Sequence, residues 1–292
     1  MKLFPGYTSK RIRTSGATIN LVHGGKGPPV LLLHGYPETH AMWHKVAPAL
    51  ARDYTVVCPD LRGYGDSSKP KGLPDHSNYS KRAMANDMAE AMAALGHRRF
   101  HVAGHDRGAR VAHRLARDHG SRVRSLAVLD ISPTLKVFQS TSQALATAFY
   151  HWFFLIQRAP LPELMIGGDR RDYLLRRIGR GAVGLRVFPS AVIREYVRCF
   201  DARGVHATCE DYRAAAGIDL VHDRKDLRKK LAMPVLALWA RHSPVGTLFD
   251  CLADWREVAK DVRGRALDCG HFLPEEKPDE VLAELRRFLR GV

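Results

Sequence analysis

The chain has 292 residues, of which 45% are hydrophobic, and it carries a formal net charge of +16 at pH 7. Its length and composition allow a sizeable core, and the absence of an apolar run of about 18 residues excludes a transmembrane helix. Positive charges are spread along the whole sequence, and the densest tract, 224–230, is interrupted by Asp226. This spread predicts a solvated basic surface that attracts small anions, without a nucleic-acid or membrane partner.

The cysteines and the first residues of the chain predict the cellular compartment of the protein. The first residues, MKLFPG, lack the apolar segment of a signal peptide. The cysteines are odd in number and show no C-x-x-C spacing, which disfavours a disulfide framework or a zinc site. We therefore expect a cytoplasmic protein with free thiols and with no metal or other cofactor. The cysteines are Cys58, Cys199, Cys209, Cys251 and Cys269.

Strand and helix patterns alternate through the first part of the chain, as expected for a mostly parallel sheet covered by helices. In chain order they predict a hairpin of strands at 7–12 and 17–23, a strand at 30–33, a helix at 42–52, a strand at 54–58, a helix at 79–95, a strand at 99–103, a helix at 108–119 and a strand at 123–129.

The pattern changes after residue 132. Residues 133–216 are helical in pattern, rich in aromatic residues and interrupted by prolines, which predicts an inserted helical cap, or lid. Alternation then returns with a strand at 234–239, a helix at 248–260, a strand at 262–267 and a terminal helix at 278–289. The predicted domains are a core in two parts, 1–132 and 217–292, with the cap at 133–216.

The segment VAGHDRGAR at 102–110 has the spacing of the nucleophile elbow G-x-S-x-G, with Asp106 in place of serine between Gly104 and Gly108. The elbow is a sharp turn from a strand to a helix, and the predicted elements on both sides provide that setting. A carboxylate at this point suits displacement at an sp3 carbon, which forms an ester on the enzyme that water must then cleave.

Two arginines follow the aspartate on the same turn. The guanidinium groups of Arg107 and Arg110 have the geometry to bind a carboxylate through paired hydrogen bonds. The elbow and its arginines together predict an enzyme that attacks a small anionic molecule.

Three further segments resemble the α/β-hydrolase family, in which the nucleophile, the acid and the histidine follow one another in this order. The fold class implied is an α/β-hydrolase fold, with a doubly wound sheet and an inserted lid. The segments are HGYP at 34–37, DLRGYGDS at 60–67 and GHF at 270–272.

A closer resemblance is to the fluoroacetate (haloacetate) dehalogenases, and four segments carry it. These are DRGAR at 106–110, LDISPT at 129–134, HWFFL at 151–155 and EDYRA at 210–214. The resemblance implies that His151, Trp152 and Tyr212 donate hydrogen bonds to the leaving halide, and that the protein forms a homodimer.

The remaining catalytic roles follow from chemistry. His271 would deprotonate the water that cleaves the ester, and it needs a carboxylate to orient it. Asp130 follows a predicted strand, whereas the loop at 241–245 contains no carboxylate, so Asp130 is favoured. The backbone N–H groups of Tyr36 and Arg107 would form the oxyanion hole during ester hydrolysis.

One position departs from the resembling family. Its lid often has a tryptophan in a G-W-G-A stretch, and this chain has Arg180 there. If Arg180 faces the pocket, it changes the pocket's volume and charge, and we therefore treat it as a candidate specificity residue.

The sequence thus predicts an enzyme without a cofactor that hydrolyses a small 2-halo carboxylate to the 2-hydroxy acid. An epoxide hydrolase is the first alternative, since it uses the same nucleophile and base. It usually needs two lid tyrosines, here Tyr212 with Tyr150, Tyr173 or Tyr196. A hydrolase-fold binding protein without turnover is the second alternative, although such proteins typically lose a catalytic residue.

Overall fold

The computed structural model describes residues 3–180 and 183–292. Within these ranges one eight-stranded sheet has the order β1-β2-β4-β3-β5-β6-β7-β8. Strands β3 to β8 are parallel, whereas β2 pairs with β1 and with β4 in antiparallel fashion. The strands are β1 (Thr8–Arg13), β2 (Thr18–Gly24), β3 (Pro29–Leu33), β4 (Thr55–Pro59), β5 (Phe100–His105), β6 (Val123–Leu129), β7 (Val235–Ala240) and β8 (Val262–Leu267).

The predicted fold class, an α/β fold with a mostly parallel sheet, is confirmed. The central strands are continuous apolar runs because helices cover both faces of a parallel sheet. Every residue of β5 is buried, and four of the five residues of β3 are buried. The helices of the first part of the chain are α1 (Ala47–Leu50), α2 (Lys81–Ala94) and α3 (Asp106–Asp118), with short 3-10 turns at His40–Lys45 and Ser77–Tyr79.

Between β6 and β7 the described residues contain no named strand, only an isolated bridge of Leu231 to Ala259, and the other elements are helices. They are α4 (Thr134–Gln139), α5 (Gln143–Ala148), α6 (Tyr150–Leu155), α7 (Leu161–Gly167), α8 (Arg170–Ile178), a 3-10 turn at Gly184–Val187, α9 (Ser190–Cys199), α10 (Ala202–Ala216) and α11 (Ile218–Asp226). The end of the cap at residue 216 stays a prediction. Two ion pairs favour it, because Asp223 and Asp226 on α11 bind Arg114 of the core helix α3 at 2.6 and 2.5 Å.

The last part of the chain adds α12 (Pro244–Leu248), α13 (Cys251–Val258), α14 (Leu273–Glu276) and α15 (Pro278–Arg290). Two predicted helices are each divided in the structure. The helix predicted at 42–52 is a 3-10 turn followed by α1, because Pro48 has no N–H with which to continue a helical ladder. The helix predicted at 248–260 is divided at Asp250, whose side chain accepts a hydrogen bond from the Ala253 N–H and caps α13.

No helix in the residues that the structure describes is long and apolar enough to cross a bilayer. The carboxyl ends of the parallel strands all lie at one edge of the sheet, where α/β folds build their sites. The segments that follow β3, β5, β6 and β8 carry Tyr36, Asp106, Asp130 and His271 respectively. The fold therefore gathers residues from four distant stretches of sequence beneath the cap.

Candidate active site

Asp106 lies on a strained turn between β5 and α3. Its φ of 47° is in the left-handed region that few side chains adopt. The two flanking glycines permit the turn, because a Cβ on Gly108 would lie 2.3 Å from the carbonyl oxygen of His34, and one on Gly104 would lie 2.6 Å from the backbone N of Ala109. This is the close packing of strand, turn and helix that the elbow motif predicts.

The Asp106 carboxylate is buried, yet it is held in its charged form. The backbone N–H of Tyr36 donates to its Oδ1 at 3.0 Å. Burial alone would raise the pKa of Asp106, but the neighbouring His271, His105 and Arg107 side chains, together with the Tyr36 N–H, lower it to about 2. Asp106 is therefore an ionised carboxylate throughout the neutral pH range.

The predicted oxyanion donors lie beside this carboxylate. The Tyr36 N–H already points to Asp106, and Arg107 is the second residue of α3, whose first-turn N–H groups have no acceptor within the helix. Both donors are therefore near the carbonyl that an ester on Asp106 would present.

His271 and Asp130 form a direct hydrogen bond. His271 Nδ1 lies 2.6 Å from Asp130 Oδ2, and Nε2 lies 3.9 Å from Asp106 Oδ2. Because a carboxylate accepts, the Nδ1 atom carries the proton and Nε2 keeps its lone pair. That lone pair points to the carboxylate across a gap too long for a hydrogen bond, which leaves a place for a water beside the ester.

Ser243 is a site residue that the sequence did not reveal. Its hydroxyl donates to Asp130 Oδ1 at 2.8 Å, and the Ala240 N–H donates to the same oxygen at 2.9 Å. The sequence disfavours the loop at 241–245 as the source of the orienting acid, because it has no carboxylate. It nevertheless follows β7, the strand next to β6, and its serine orients the carboxylate that β6 supplies.

A buried ion pair lies on the other side of His271. The His105 ring contacts Glu38 Oε2 at 3.1 Å through Nδ1 and the His271 carbonyl oxygen at 2.7 Å through Nε2. Burial lowers the pKa of His105, but Glu38 and Asp106 raise it to about 9. With both ring nitrogens protonated, His105 donates to both partners and fixes the backbone of His271.

We predict that this pair makes stability fall in mild alkali. The pKa of His105 is about 9 in the fold and 6.5 in its ordinary state, so its contribution of ~3 kcal/mol is complete below pH about 6.5 and is lost as pH rises through about 9. In Glu38→Gln the shift shrinks, and the loss should shrink with it. Urea unfolding of both proteins at several pH values measures this. Equal alkaline losses in the two proteins would contradict it.

The two elbow arginines occupy different environments. Arg107 is fully buried, and its Nε and Nη2 bind the carboxylate of Asp211 at 2.9 and 2.7 Å, which leaves Nη1 as the one nitrogen of this guanidinium without a partner. Arg110 lines the cavity beside Asp106, and its Nη1 donates to the Ser132 carbonyl oxygen while its Nε has no partner. Arg110 is thus open to an anion, whereas only one edge of Arg107 remains free.

The three predicted halide donors lie together on the cap. His151 and Trp152 are on α6, Tyr212 is on α10, and all three side chains are buried. Within the described residues, His151 Nδ1, Trp152 Nε1 and the Tyr212 hydroxyl have no hydrogen-bond partner. The Tyr212 ring lies 5.8 Å from the His151 ring and 6.0 Å from the Trp152 ring, measured between centroids. Buried donors without partners cost free energy, so this cluster is complementary to an absent anion.

Two arginines lie at the cavity, Arg177 on α8 and Arg180 just beyond its end, and the sequence alone indicates only Arg180. Arg177 donates from Nη2 to His151 Nε2 at 2.9 Å and lines the cavity. Arg180 is exposed, and its guanidinium lies 5.0 Å from the centre of the Tyr150 ring. It lines the site cavity and an outer hollow next to it, so it lies at the mouth rather than on the floor.

The cavity beside Asp106 measures about 250 Å³. Liquid water occupies about 30 Å³ per molecule, so the space accepts a small acid together with several waters. Its wall includes the carboxylates of Asp106 and Asp130, the ring of His271 and the guanidinium of Arg110. It therefore joins a nucleophile, a base and an anion-binding group in one small chamber.

One group of potential metal ligands lies elsewhere, on the cap. Glu163, His206 and Glu210 bring their ligand atoms within 4.8 Å of one another. Arg213 Nη1 lies between the two carboxylates, at 2.7 Å from Glu163 and 2.8 Å from Glu210. The positive charge that a metal ion would provide is already supplied, so this cluster is better explained as a salt-bridge network.

Comparison with known proteins identifies the class. The family model of the α/β-hydrolase fold matches residues 28–278. A solved structure from Nostoc sp. PCC 7120, described as an α/β hydrolase, is 54% identical, with a TM-score of 0.94 over 97% of this chain and 98% of that one. The chain belongs to the α/β-hydrolase family.

Two relatives with named activities indicate which group within the α/β-hydrolase family this chain resembles. The fluoroacetate dehalogenase of a Burkholderia species is 44% identical over 289 residues, which cover 98% of this chain and 95% of the relative. The soluble epoxide hydrolase of Corynebacterium sp. strain C12 is 36% identical and covers 96% of each chain. The predicted membership of the dehalogenase family within the α/β hydrolases is thereby confirmed.

Proposed function

We propose that this protein hydrolyses small 2-halo carboxylates of the haloacetate type to 2-hydroxy acids through an ester on Asp106. The observation that carries the proposal is a cluster of buried donors without partners beside the cavity of the ionised Asp106: His151, which lines that cavity, with Trp152 and Tyr212 packed next to it. The similarity to the Burkholderia fluoroacetate dehalogenase over almost the whole chain supports the same chemistry.

In the first step an oxygen of Asp106 attacks the carbon that bears the halogen. A C–O bond forms while the C–X bond breaks, and the halide leaves with the bonding electrons. The three cap donors bind the halide as its charge develops, which lowers the barrier because the donors are already oriented. Arg110 holds the substrate carboxylate, and Arg107 contributes the one N–H edge that Asp211 leaves free.

In the second step water attacks the carbonyl carbon of the ester. His271 Nε2 takes the proton, and Asp130 stabilises the imidazolium through Nδ1. The N–H groups of Tyr36 and Arg107 bind the oxyanion. Collapse of the intermediate breaks the bond between that carbon and the ester oxygen. The 2-hydroxy acid leaves with the proton from His271. Asp106 retains one oxygen from water, releases the second proton of that water to solvent, and returns as a carboxylate.

The tyrosines disfavour the epoxide hydrolase alternative. Tyr212 has a free hydroxyl, but Tyr36 donates to the hydroxyl of Tyr173 at 3.2 Å and Tyr196 donates to Glu275 at 3.3 Å. Tyr150 is exposed beneath Arg180. None of these tyrosines lines the described cavity beside Asp106, so the pair of tyrosine donors that epoxide opening usually requires is not found in its wall.

A substrate panel tests the proposal and its alternatives. We expect halide release and a 2-hydroxy acid from fluoro-, chloro- and bromoacetate. A neutral haloalkane and an epoxide should react far more slowly. Diol formation as the main activity would favour an epoxide hydrolase, and an absence of turnover with every compound would favour a binding protein.

Arg180 is expected to influence which halo acid is preferred. Arg180→Trp should increase the ratio of kcat/KM for fluoroacetate to that for 2-chloropropionate by roughly 10-fold or more, because a ring at the mouth narrows the chamber. Arg176→Trp is a matched control, since Arg176 lies on the helix that ends just before Arg180, is exposed and pairs with Asp172. An unchanged ratio in Arg180→Trp would show that preference is set elsewhere.

The proposal extends to the cellular compartment and the oligomeric state of the protein. All five cysteines are free and buried, which supports a reducing compartment such as the cytoplasm. Helix α7 exposes Leu161, Leu164 and Met165, an apolar surface that favours association of two copies. Light scattering of the purified protein measures whether it is a homodimer.

A further inference from the structure

The hydrogen bond between Arg177 and His151 fixes which nitrogen of the His151 ring carries a proton. A guanidinium has only donors, so Arg177 Nη2, at 2.9 Å, leaves His151 Nε2 as an acceptor. Burial and the neighbouring charge of Arg177 lower the pKa of His151 well below its usual value, and the ring is therefore neutral. A neutral ring whose Nε2 accepts must carry its single proton on Nδ1.

His151 Nδ1 is the ring atom that the halide would contact. It is buried and has no partner within the described residues, as is also true of Trp152 Nε1 and the Tyr212 hydroxyl. The Tyr36 ring stacks on His151 at 6.2 Å with an angle of 14° between the planes, which holds the plane of the imidazole. In the other tautomer Nδ1 would present a lone pair to a developing anion, and this would repel it.

The charge of Arg177 is not neutralised by a neighbouring acid. Within residues 3–180 and 183–292 no carboxylate lies within ion-pair distance of its guanidinium, and its Nε atom has no hydrogen-bond partner. The guanidinium carbon lies 5.8 Å from the centre of the Tyr36 ring, a contact that helps to hold the cation in place. A fixed positive charge behind the ring makes the opposite N–H a stronger donor.

We propose that Arg177 is a positioning residue that holds His151 in the tautomer with the proton on Nδ1, so that this N–H donates to the departing halide. The proposal rests on the proposed dehalogenation and assigns a part of it that neither the motifs nor the comparisons indicate. Arg177 contacts His151 rather than the halide, and its effect should grow with the leaving group's need for hydrogen bonds.

The leaving group therefore provides the kinetic test. Fluoride is the poorest leaving group of the series and depends most on donors, whereas bromide depends on them least. In Arg177→Met we expect kcat for fluoroacetate to fall by roughly 10- to 100-fold, less than the ~10²–10³-fold typical for the loss of a whole donor. The fall for bromoacetate should be several times smaller, and KM should change little for either. Arg177→Lys, which keeps a charged donor, should recover much of the rate.

The tautomer itself is the second measurement. Nitrogen NMR of protein labelled with ¹⁵N-histidine distinguishes a protonated from a free ring nitrogen, and His151→Gln identifies the His151 signals. We expect a protonated Nδ1 in the wild type, retained in Arg177→Lys and in the control Arg176→Met, and a mixture of tautomers in Arg177→Met.

The two measurements also separate this proposal from the proposed function. An unchanged tautomer in Arg177→Met, or equal losses of kcat for fluoroacetate and bromoacetate, would overturn the positioning role. Failure of the wild type to release any halide would overturn the dehalogenation, and with it the halide part of this proposal, while the NMR comparison would still report on the Arg177–His151 pair.

Discussion

The His271→Asn variant will accumulate a covalent carboxymethyl ester on Asp106 when it is incubated with a haloacetate. Asp106 carries the attack alone, so the first step survives, but without the imidazole no group takes the proton of the attacking water. Turnover should fall by about 10⁴-fold or more, as when other catalytic triads lose one of their members. Intact-protein mass spectrometry and sequencing of the peptide around Asp106 measure the adduct.

Two controls make the trapping experiment decisive. Asp106→Asn should form no adduct, and the halide released by His271→Asn should equal the esterified protein mole for mole. An adduct on another residue, or none at all under conditions where the wild type turns over, would refute the covalent mechanism.

The first step should also be insensitive to pH over a wide range. The pKa of Asp106 is about 2 in the wild type, and the neighbouring His105 keeps its charge until pH approaches about 9. His271→Asn removes the group that lowers this pKa most, so the pKa should rise in the variant, while His105, Arg107 and the Tyr36 N–H still keep it low. Alkylation of His271→Asn should therefore proceed at a constant rate from about pH 6 to about pH 8. A rate that rises with pH across this range would mean that the nucleophile is not the ionised carboxylate described above.

The sequence predicted those parts of the site that are encoded locally. Asp106 is recognisable because two glycines and the change from strand to helix occur within a few residues, and the structure explains both glycines by close backbone contacts. Asp130 and His271 each follow a strand, and the carboxyl ends of parallel strands meet at one edge. Their hydrogen bond at 2.6 Å agrees with that expectation, while the catalytic roles stay predictions.

The residues that the sequence did not reveal depend on contacts between distant segments. Glu38 is 67 residues from His105, and Asp211 is 104 residues from Arg107. No periodicity or turn chemistry relates such positions, so their pairing appears only once the sheet and the cap are assembled. The sequence did not reveal Arg177 for the same reason, because Arg177 lies on α8 and contacts His151 on α6.

The contact with Asp211 changes what is expected of the two elbow arginines. The sequence suggests a symmetrical clamp in which both guanidinium groups bind the substrate carboxylate. In the structure Asp211 takes two nitrogens of Arg107, and Lys81 binds the same carboxylate. Arg110 has no salt bridge to a carboxylate among the described residues, and burial beside Arg107 lowers its pKa to about 10, so it still carries its charge at neutral pH.

Arg110 is therefore expected to provide most of the selectivity for acids. Arg110→Met should reduce kcat/KM for chloroacetate by roughly 10- to 150-fold for each charged hydrogen bond lost, since such a bond contributes about 1.5–3 kcal/mol. Chloroacetamide, which is neutral, should lose far less, so the ratio of acid to amide activity should fall. Arg110→Lys keeps the charge but not the planar guanidinium, and it should recover only part of that ratio.

Arg107→Met should differ from Arg110→Met in its effect on the fold. Removing Arg107 leaves the buried Asp211 with Lys81 as its remaining cation, and the loss of one partner from a buried pair costs about 3 kcal/mol or more in the free energy of unfolding. Arg110 makes neutral contacts with Ser132 and Thr134, so Arg110→Met should unfold at a urea concentration closer to that of the wild type. Urea unfolding and the acid-to-amide ratio, measured on both variants, separate the two roles. Equal losses of stability in both variants, together with equal losses of selectivity, would contradict this prediction. They would mean that both arginines bind the substrate carboxylate equally and that the contact with Asp211 does not restrict Arg107.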